Sequence, residues 1–534
     1  MPIDLITVAE KELVLRARNG KCADLRSRNA GENDPAKGAS WTEDRTIRAD
    51  VILALATRSE LTWPVGQKGV RVNGARITGK LDFEAATITC PLALTGCYFE
   101  KQIVLKDAHA FSIDFSGCYA DGGINGSGMR VEHDLRLGGM FRANGQVALV
   151  GARIGGDLDC EGGQFEKPSG VALLMDRVDV KGSIFLRKCF SAIGEARLVG
   201  ATVGGDVECR DGHFENLEVN RPRGECQDVN YDEDSNEQDC KTRALNMAGI
   251  RVRGHVFLKD GFIARGQVTL RLASIDGQLA CRGGKFANPK GPAIDMNSLN
   301  LKGGLFMNEG FEAKGGVDLT HAKVGVIDDH RGGWPTLGFR LDGLTYGCID
   351  KNLDAKTRLP WLRSQTKFHP QPYEQLARVM RESGNERDAQ RILFAKHQEL
   401  RRIRPLGLGW LAKFILEIIV GYGYRTWLAA FWLLGLLLLG WGVANLASRS
   451  KVIVRSQSLA TEVAYPEFHP LLYSLDQLHL PLDLHQNAYW RLDEKPSSGP
   501  WFWAFEAYFV FHTLIAWILI SLFVAAVTGI IKKE

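Results

Sequence analysis

Short runs in the middle of the chain alternate between apolar residues and small or polar ones. The run 154–160 places Ile, Gly, Leu and Cys at every second position, and Val147 and Leu149 form a shorter run just before it. The same pair of runs recurs at Val268 with Leu270 and Ile275 to Cys281, and the shorter run again at Val317 with Leu319. A period of two residues is typical of a β-strand with one buried face. We therefore predict a mainly β fold built from many short strands.

The alternation belongs to a sequence repeat. One phrase reads Gly-Ala-Arg-Ile-Thr-Gly-Lys-Leu from Gly74, Gly-Ala-Arg-Ile-Gly-Gly-Asp-Leu from Gly151 and Gly-Ala-Thr-Val-Gly-Gly-Asp-Val from Gly200. Looser copies share an aliphatic residue at Ile77, Val131, Ile154, Val180, Val203, Val252, Ile275, Leu301 and Val324. From Val131 the steps are 23, 26, 23, 49, 23, 26 and 23 residues, and the long step contains an acidic insert near 217–243. Repeats of this length with strand periodicity predict a parallel β-solenoid over 66–335.

Glycine is abundant, with 58 residues, and the solenoid explains it because tight corners need positive φ and close backbone approach. The competing explanation is a dinucleotide-binding loop. No Gly-x-Gly-x-x-Gly phrase between a strand and a helix is present, so the corner interpretation is favoured.

The solenoid is flanked by segments with helical patterns. Residues 1–65 are predicted to form a helical N-terminal cap, with Thr7 and Glu10 making a capping box and Thr42 beginning a second helix that runs through Ile47 to Leu55. Residues 336–404 are predicted to close the solenoid and form a helical hairpin around Ser383 and Gly384. Both would cover open sheet edges, which otherwise recruit other strands.

Residues 405–534 have the pattern of a membrane module. We predict an interfacial helix at 406–420, spans at 426–446 and 508–531, and an external loop at 449–500. Basic residues flank the outer ends of the pair, so the positive-inside rule places both termini in the cytoplasm. With no signal peptide visible, the expected location is a bacterial inner membrane with the solenoid in the cytoplasm.

Two spans with an external loop are also the outline of simple ion channels, which would need a homo-oligomer. Gly421 to Tyr424 resembles a filter, but it precedes the first span and abuts Arg425, which favours an interfacial turn. Glu506 and His512 lie near the start of the second span. Ionisable residues in a span are candidate functional groups, although snorkelling to the interface is the simpler explanation.

Charge and cysteine content bear on nucleic-acid binding, metal binding and redox chemistry. A net charge of +4 without a long basic run gives no indication of nucleic-acid binding. Cys160, Cys209 and Cys281 occupy a repeat position that holds Leu in other copies, so they are expected to be buried apolar groups rather than a metal or redox stack. The insert could bind a cation through Asp232, Glu233, Asp234 and Glu237, or zinc through Cys226, Cys240 and a histidine. Its spacing matches neither a calcium loop nor a paired-cysteine zinc motif, and a solvated loop is favoured.

Acidic residues recur on the outward positions of the repeat, at Asp157, Asp159, Asp206 and Glu208. Solenoids that act on carbohydrates place acids along one outer face, so these four are candidate solenoid-face residues. A polar outer face is also what solvation requires, and that interpretation is favoured.

Several phrases together resemble a bacterial family of membrane-anchored repeat proteins labelled membrane-associated oxidoreductases. They are the Gly-Ala-Arg-Ile repeat, Pro370 to Ala377, Gly421 to Gly423, and Tyr473 through Gln486. The last phrase and the closing span are also similar to the ends of proteins that join pentapeptide-like repeats to channel-like modules. The resemblance implies a cytoplasmic solenoid, a helical collar and two spans.

The sequence favours a non-enzymatic membrane protein whose solenoid binds a protein partner or ligand, with a channel-like membrane module as an extension. No catalytic, cofactor-binding or metal-binding motif was found, so no cofactor is expected. The alternative is an enzyme, either the oxidoreductase of the family label or a hydrolase acting on the solenoid face.

Overall fold

The computed structural model describes residues 4–58, 63–216, 243–329, 334–350, 354–403, 408–456, 467–478, 484–493, 500–528 and 530, with backbone only at 408–413 and 500–501. The chain divides into two compact units, Met1–Ser383 and Gly384–Glu534, which are described in turn. Most of the insert predicted near 217–243, including its acids and Cys226 and Cys240, lies outside the described residues.

The first unit is a parallel β-solenoid of about 11 turns. Its strands, numbered in chain order, form two parallel sheets. The first sheet contains β1 (Ala23–Asp24), β3 (Val70–Asn73), β5 (Thr87–Ile88), β6 (Leu92–Thr95), β9 (His109–Ala110), β10 (Ile113–Asp114), β13 (Arg130–Val131), β14 (Leu135–Arg136), β17 (Arg153–Ile154), β18 (Leu158–Asp159), β20 (Asp179–Val180), β21 (Ile184–Phe185), β23 (Thr202–Val203), β24 (Val207–Glu208), β27 (Arg251–Val252), β28 (Val256–Phe257), β31 (Ser274–Ile275), β32 (Leu279–Ala280), β34 (Asn300–Met307), β36 (Lys323–Asp329) and β38 (Thr345–Ile349). The second contains β2 (Thr46–Arg48), β4 (Arg76–Thr78), β7 (Tyr98–Phe99), β8 (Ile103–Val104), β11 (Tyr119–Ala120), β12 (Ile124–Asn125), β15 (Arg142–Asn144), β16 (Val147–Ala148), β19 (Gln164–Leu174), β22 (Ser191–Arg197), β25 (His213–Glu215), β26 (Arg243–Asn246), β29 (Ile263–Arg265), β30 (Gln267–Thr269), β33 (Lys285–Asp295), β35 (Glu312–Asp318) and β37 (Phe339–Arg340).

The repeat alignment from Val131 onward is confirmed residue by residue. Each aliphatic residue pairs in register with its successor, from Val131 with Ile154 to Leu301 with Val324. Val203 pairs directly with Val252, so the long step is one coil with an insertion. Extra residues in the 26-residue coils form irregularities of register within β19 and β33.

The assignment of Ile77 to the same column is wrong. Ile77 lies in β4 of the second sheet, where it pairs with Ile47 and Phe99, whereas Ile154 lies in the first sheet. Both sheets require the same alternation followed by a corner, so one phrase fits either of them. A phrase match alone therefore fixes the period of a solenoid but not the sheet.

The interior is filled by columns of apolar side chains. One of them is a ladder of phenylalanines, one per coil, whose neighbouring ring centroids are 5.1 to 5.7 Å apart. The ladder consists of Phe141, Phe165, Phe190, Phe214, Phe262, Phe286 and Phe311. Tilted rings at this spacing add stabilisation beyond the area they bury.

The N-terminal residues contain helices and also the first strands of the solenoid. Helix α1 (Val8–Arg18) begins with the predicted capping box: Thr7 Oγ1 accepts from the Glu10 backbone, and the Glu10 carboxylate accepts from Thr7 N. The prediction for Thr42 is wrong, because Thr42 precedes a single 3₁₀ turn and α2 (Ala49–Thr57) begins only after β2.

Glu10 is completely buried and bonded to Arg48 of the α2 N-cap, with Nε and Oε1 2.8 Å apart. Burial raises the pKa of Glu10, but hydrogen bonds from Arg48 and from backbone N–H groups outweigh it and hold the pKa below its ordinary value. A lowered pKa means that the stabilisation is present above the unfolded-state pKa of about 4.5 and is lost as the pH falls through the folded value.

We therefore expect Glu10→Gln to destabilise the fold by about 2 kcal/mol near neutral pH, because hydrogen bonds to a charged group are lost. The difference should shrink as the pH falls below about 4.5. Thermal unfolding followed by circular dichroism at several pH values would measure it. A difference that does not change with pH would contradict the assignment.

Parallel pairing continues past residue 335, since β37 pairs with β35 and β38 with β36. Helix α3 (Ala355–Arg363) follows, and its Trp361 packs edge-on against Phe339 and Tyr346. Helix α4 (Gln371–Glu382) then lies along the last strand. Gln371 and Gln375 donate hydrogen bonds to the Leu344 and Tyr346 carbonyls. The two side chains thus occupy part of the sheet edge that the last coil leaves open.

The second unit contains α5 (Glu386–Ile403), α6 (Leu408–Val420), α7 (Trp427–Arg449), α8 (Pro470–Gln477), α9 (Gln486–Tyr489) and α10 (Pro500–Val527), with an antiparallel pair β39 (Ile453–Arg455) and β40 (Trp490–Leu492). Two helical segments, Trp427–Arg449 and Phe502–Val527, are long and apolar enough to cross a membrane. The second helix begins at Pro500, earlier than the predicted Tyr508. Within the predicted external loop, α8 and β39–β40 pack through Tyr473 and Ile453 against the adjoining ends of α7 and α10.

Candidate functional site

Two of the four candidate solenoid-face acids belong to a ladder of side-chain hydrogen bonds that we call the corner ladder. In it, a side chain of one coil accepts from the backbone N–H at the same position of the next coil. In each of the following pairs, the side chain of the first residue accepts from the backbone N–H of the second: Asp134 and Asp157 (3.1 Å), Asp157 and Ser183 (2.7 Å), Ser183 and Asp206 (3.0 Å), Asp206 and His255 (2.7 Å), and His255 and Gln278 (3.0 Å). Asp157 and Asp206 therefore satisfy backbone donors where the chain turns between strands.

The corner ladder explains the Gly-Gly-Asp phrase of the repeat. A Cβ at Gly182 would lie 2.1 Å from Asp157 Oδ1, and one at Gly254 would lie 2.1 Å from Asp206 Oδ1. The glycine before each donor leaves room for the acceptor of the preceding coil. The sequence carried this signal as an acceptor side chain, Asp, Ser or His, that follows glycine at one repeat position from Asp157 to His255.

The third candidate acid, Asp159, closes a local turn. Its Oδ1 accepts from Glu161 N at 2.9 Å, and Asp82 and Asp114 make the same bond to the residue two positions on. Aspartate favours such turns because its short side chain reaches its own backbone.

The fourth candidate acid, Glu208, is 8% exposed and paired with two arginines. Arg187 Nη1 lies 2.6 Å from Glu208 Oε2, and Arg210 Nη2 lies 3.4 Å from Oε1. The guanidinium groups also lie over aromatic rings, Arg187 over Phe185 at 4.5 Å and Arg210 over Phe257 at 4.9 Å. We call these five residues the arginine–phenylalanine face; they occupy neighbouring coils of the first sheet.

The sequence analysis missed a buried acidic pair on the second sheet. Asp295 and Asp318 are register partners in adjacent coils, and they are 8% and 6% exposed. Burial raises the pKa of Asp295 to about 6, and the Asp318 carboxylate adds to the rise, while Asn297 N–H and Arg271 oppose it. A raised carboxyl pKa is a common property of general acids. However, both side chains are covered, so a substrate would not reach them in this conformation.

A raised pKa means that the fold binds a proton more tightly than the unfolded chain, so Asp295 destabilises the fold as the pH rises from about 4 to about 6. We expect Asp295→Asn to stabilise the solenoid by about 3 kcal/mol near neutral pH and to have little effect below about pH 4. Thermal unfolding at both pH values tests this. The matched control is Asp276→Asn, which removes an exposed acid and should change stability by less than about 0.5 kcal/mol. Destabilisation by Asp295→Asn at neutral pH would contradict the expectation.

Cys160, Cys209 and Cys281 are free thiols with no exposed surface, as the exchange with leucine predicts. Burial raises the pKa of all three, that of Cys281 to about 12. Cys97 and Cys118 are two further buried free thiols, and Cys97 N–H donates to Cys118 Sγ at 3.3 Å. Within the described ranges, no group of three or more His, Cys, Asp or Glu side chains is placed to hold a metal ion.

The two candidate residues of the predicted second span, both in α10, differ in their surroundings. Glu506 is half-buried near the start of α10. His512 is 1% exposed, and its Nδ1 lies 3.2 Å from the Tyr508 hydroxyl. Its Nε2 is buried and meets no partner at hydrogen-bonding geometry within the described part of the chain. His512 packs against Gly440 of α7, where a Cβ would lie 2.5 Å from His512 Cε1. Its side chain therefore lies against α7 inside the unit.

Arg425 lies just before α7 and next to the segment predicted to be an interfacial turn. Gly421–Gly423 is a buried 3₁₀ turn in which Tyr422 has a φ of 55°. The exposed Arg425 places its guanidinium 4.6 Å from the Phe394 ring of α5. The segment is thus a turn between α6 and α7.

Glu417, which interrupts the apolar run of α6, is held by three partners. Arg401 Nη1 lies 2.8 Å from Glu417 Oε2, Gln398 Nε2 donates to Oε1 at 2.8 Å, and the Tyr422 hydroxyl donates to Oε2 at 3.3 Å. His397 stacks on Tyr422 with centroids 4.9 Å apart. These contacts join α5, α6 and the turn into one junction before α7.

No family model matches the chain, and comparisons with curated proteins and with solved structures return no match.

Proposed function

We propose that this chain is a membrane-anchored scaffold, with a solenoid that binds a protein partner or an extended ligand in the cytoplasm. In this proposal α7 and α10 cross the bacterial inner membrane and both termini are cytoplasmic. One observation carries it: a long parallel solenoid with a polar surface is followed in the same chain by two helices long and apolar enough to span a bilayer.

The surfaces of α7 and α10 support anchoring. Large apolar side chains point outward from both, among them Phe431, Leu438, Phe511 and Trp517, each more than half exposed. Apolar surface of this kind is stable in lipid and unfavourable in water. Trp427 and Trp503 lie near helix ends, where tryptophan is favoured at a membrane interface.

The structural roles of the candidate acids support a scaffold over a hydrolase. Asp157 and Asp206 cap backbone groups, Asp159 closes a turn and Glu208 is neutralised by two arginines. A hydrolase of the two-carboxylate type needs one carboxyl free to give a proton and another free to attack or to activate water.

The arginine–phenylalanine face is the surface that we assign to the partner. Phe185, Arg187 and Arg210 remain partly exposed, and arginine with aromatic residues is the composition enriched where proteins bind one another. The repeated spacing of the coils suits a partner that lies along the stack, such as an extended protein segment.

In-cell photo-crosslinking of the full chain tests the proposal. A photoreactive residue replacing Lys188, which is exposed beside Arg187, should trap a discrete protein, whereas one replacing Lys323 on a distant coil should not. The double variant Arg187→Glu, Arg210→Glu should abolish the product. No product at Lys188, together with a chromophore or stoichiometric metal in the purified chain, would favour the enzyme instead. Ion flux through liposomes that hold the full chain would show whether the membrane module also conducts.

A further inference from the structure

We propose that α8 is a re-entrant membrane helix, which enters the bilayer from the far side and ends near the middle of the two spans. This inference rests on the proposed function, because α7 and α10 must first cross the membrane. It places α8 inside the bilayer, where the sequence predicted an external loop.

The first evidence is depth along α7. Ser474 Oγ of α8 donates to the Leu437 carbonyl at 3.0 Å. At 1.5 Å per residue, Leu437 lies about 15 Å from Trp427 and about 18 Å from Arg449. The hydrocarbon layer is about 30 Å thick, so a contact at Leu437 lies close to its middle.

Contacts with α10 give the direction of α8. Tyr473 packs edge-on against Phe509 with centroids 5.5 Å apart, and further along α8 the Gln477 carbonyl accepts from Thr513 Oγ1 at 3.3 Å. As α8 advances, its partners on α10 move away from Pro500, the end of α10 that faces the loop. The C-terminal end of α8 is therefore its deeper end.

The exposed side chains of α8 include two leucines, while its buried side chains include two polar ones beside the apolar Tyr473 and Leu478. Leu471 and Leu472 are 44% and 37% exposed, while Ser474 and Asp476 are 0% and 9% exposed. A helix lying in water normally shows the reverse distribution. No lysine or arginine occurs between Pro470 and Leu478. Outward leucines and inward polar groups are favoured where the surroundings are lipid.

Close packing and satisfied polar groups make this burial tolerable. A Cβ at Gly440 would lie 2.2 Å from Ser474 Oγ, so the glycine permits α8 to touch the backbone of α7. Asp476 accepts from the backbone N–H groups of Leu484 and Asn487, at 3.3 and 2.8 Å. These two hydrogen bonds fix Leu484 and Asn487 against α8 and offset the cost of burying the carboxylate.

Lipid crosslinking of the full chain in liposomes tests the inference. A phosphatidylcholine with a diazirine in the middle of its acyl chain should form adducts on Leu471 and Leu472 as well as on Leu438 of α7, located by mass spectrometry. A lipid with a headgroup diazirine should modify the Ser450 region and not α8. Acyl-chain adducts on α7 with none on α8 would overturn the inference and leave the anchoring intact. No acyl-chain adducts on α7 or α10 would overturn the membrane anchoring itself, and the inference with it.

A pair of glycine variants tests the packing that holds α8. Gly440→Ala should lower the acyl-chain adducts on α8 several-fold relative to those on α7, because α8 must move away from the new methyl group. Gly442→Ala is the matched control, since a Cβ there meets nothing within 4 Å. If neither Gly440→Ala nor Gly442→Ala changes the ratio of α8 adducts to α7 adducts, the contact at Gly440 does not position α8 and the inference fails.

Discussion

Leu158→Asp is expected to destabilise the solenoid by about 4 kcal/mol or more, because it removes a buried apolar side chain and places a charge in the core. Leu158 has no exposed surface and lies between Leu135 and Ile184 of the adjacent coils. The measurement is urea or thermal unfolding followed by circular dichroism.

Leu158→Asn separates the effect of the charge from that of shape and polarity. It should destabilise less than Leu158→Asp near neutral pH, and the two should converge in acid as the introduced carboxyl takes up a proton. Near-normal melting of Leu158→Asp would mean that the inward face of the strands has been assigned wrongly.

Asp329→Ala is expected to cost about 3 to 5 kcal/mol, because it leaves the buried Arg358 charge without its carboxylate. Arg358 Nη1 lies 2.7 Å from Asp329 Oδ1, and each side chain is 2% exposed. Trp334 Nε1 also donates to Asp329, at 3.0 Å. The pair links α3 to β36, the strand that pairs with the last strand of the first sheet.

A double-mutant cycle with Arg358→Met measures the coupling. Replacing both side chains with apolar groups also removes the buried guanidinium that has lost this carboxylate, so the double variant should be more stable than Asp329→Ala alone. If Arg358→Met destabilises the Asp329→Ala protein as much as it destabilises the unmodified one, the two side chains are not coupled and this account of the solenoid end is wrong.

The repeat period was predictable because one aliphatic position recurs with a spacing that stacking imposes. From Val131 to Val324 every predicted column partner is the observed one. The sheet to which Ile77 belongs was not predictable, because both sheets select the same short pattern. The helix predicted to begin at Thr42 was also not predictable from local sequence. Thr42 is a good N-cap residue, but it precedes a 3₁₀ turn and then β2, a strand that is stabilised by its pairing with β4.

The roles of the candidate residues were harder to predict than the strands. Asp157 and Asp206 stand outward in the repeat, but their role depends on a backbone N–H in the next coil, 26 and 49 residues away. The raised pKa of Asp295 likewise depends on burial and on Asp318, which sequence periodicity does not report. The burial of Ser474 in α8 was not predictable either, because it depends on the contact of this side chain with α7.

The most direct test of the membrane-anchored account is the sidedness of thiol labelling in intact cells. Cys189 and Cys348 are exposed native residues of the solenoid, and Ser450→Cys would add an exposed thiol at the far end of α7. With a membrane-impermeant maleimide, the account predicts that Ser450→Cys reacts in intact spheroplasts, while Cys189 and Cys348 react only after the membrane is permeabilised. Labelling of the two native thiols in intact spheroplasts, or protection of Ser450→Cys there, would contradict a cytoplasmic solenoid anchored by two spans.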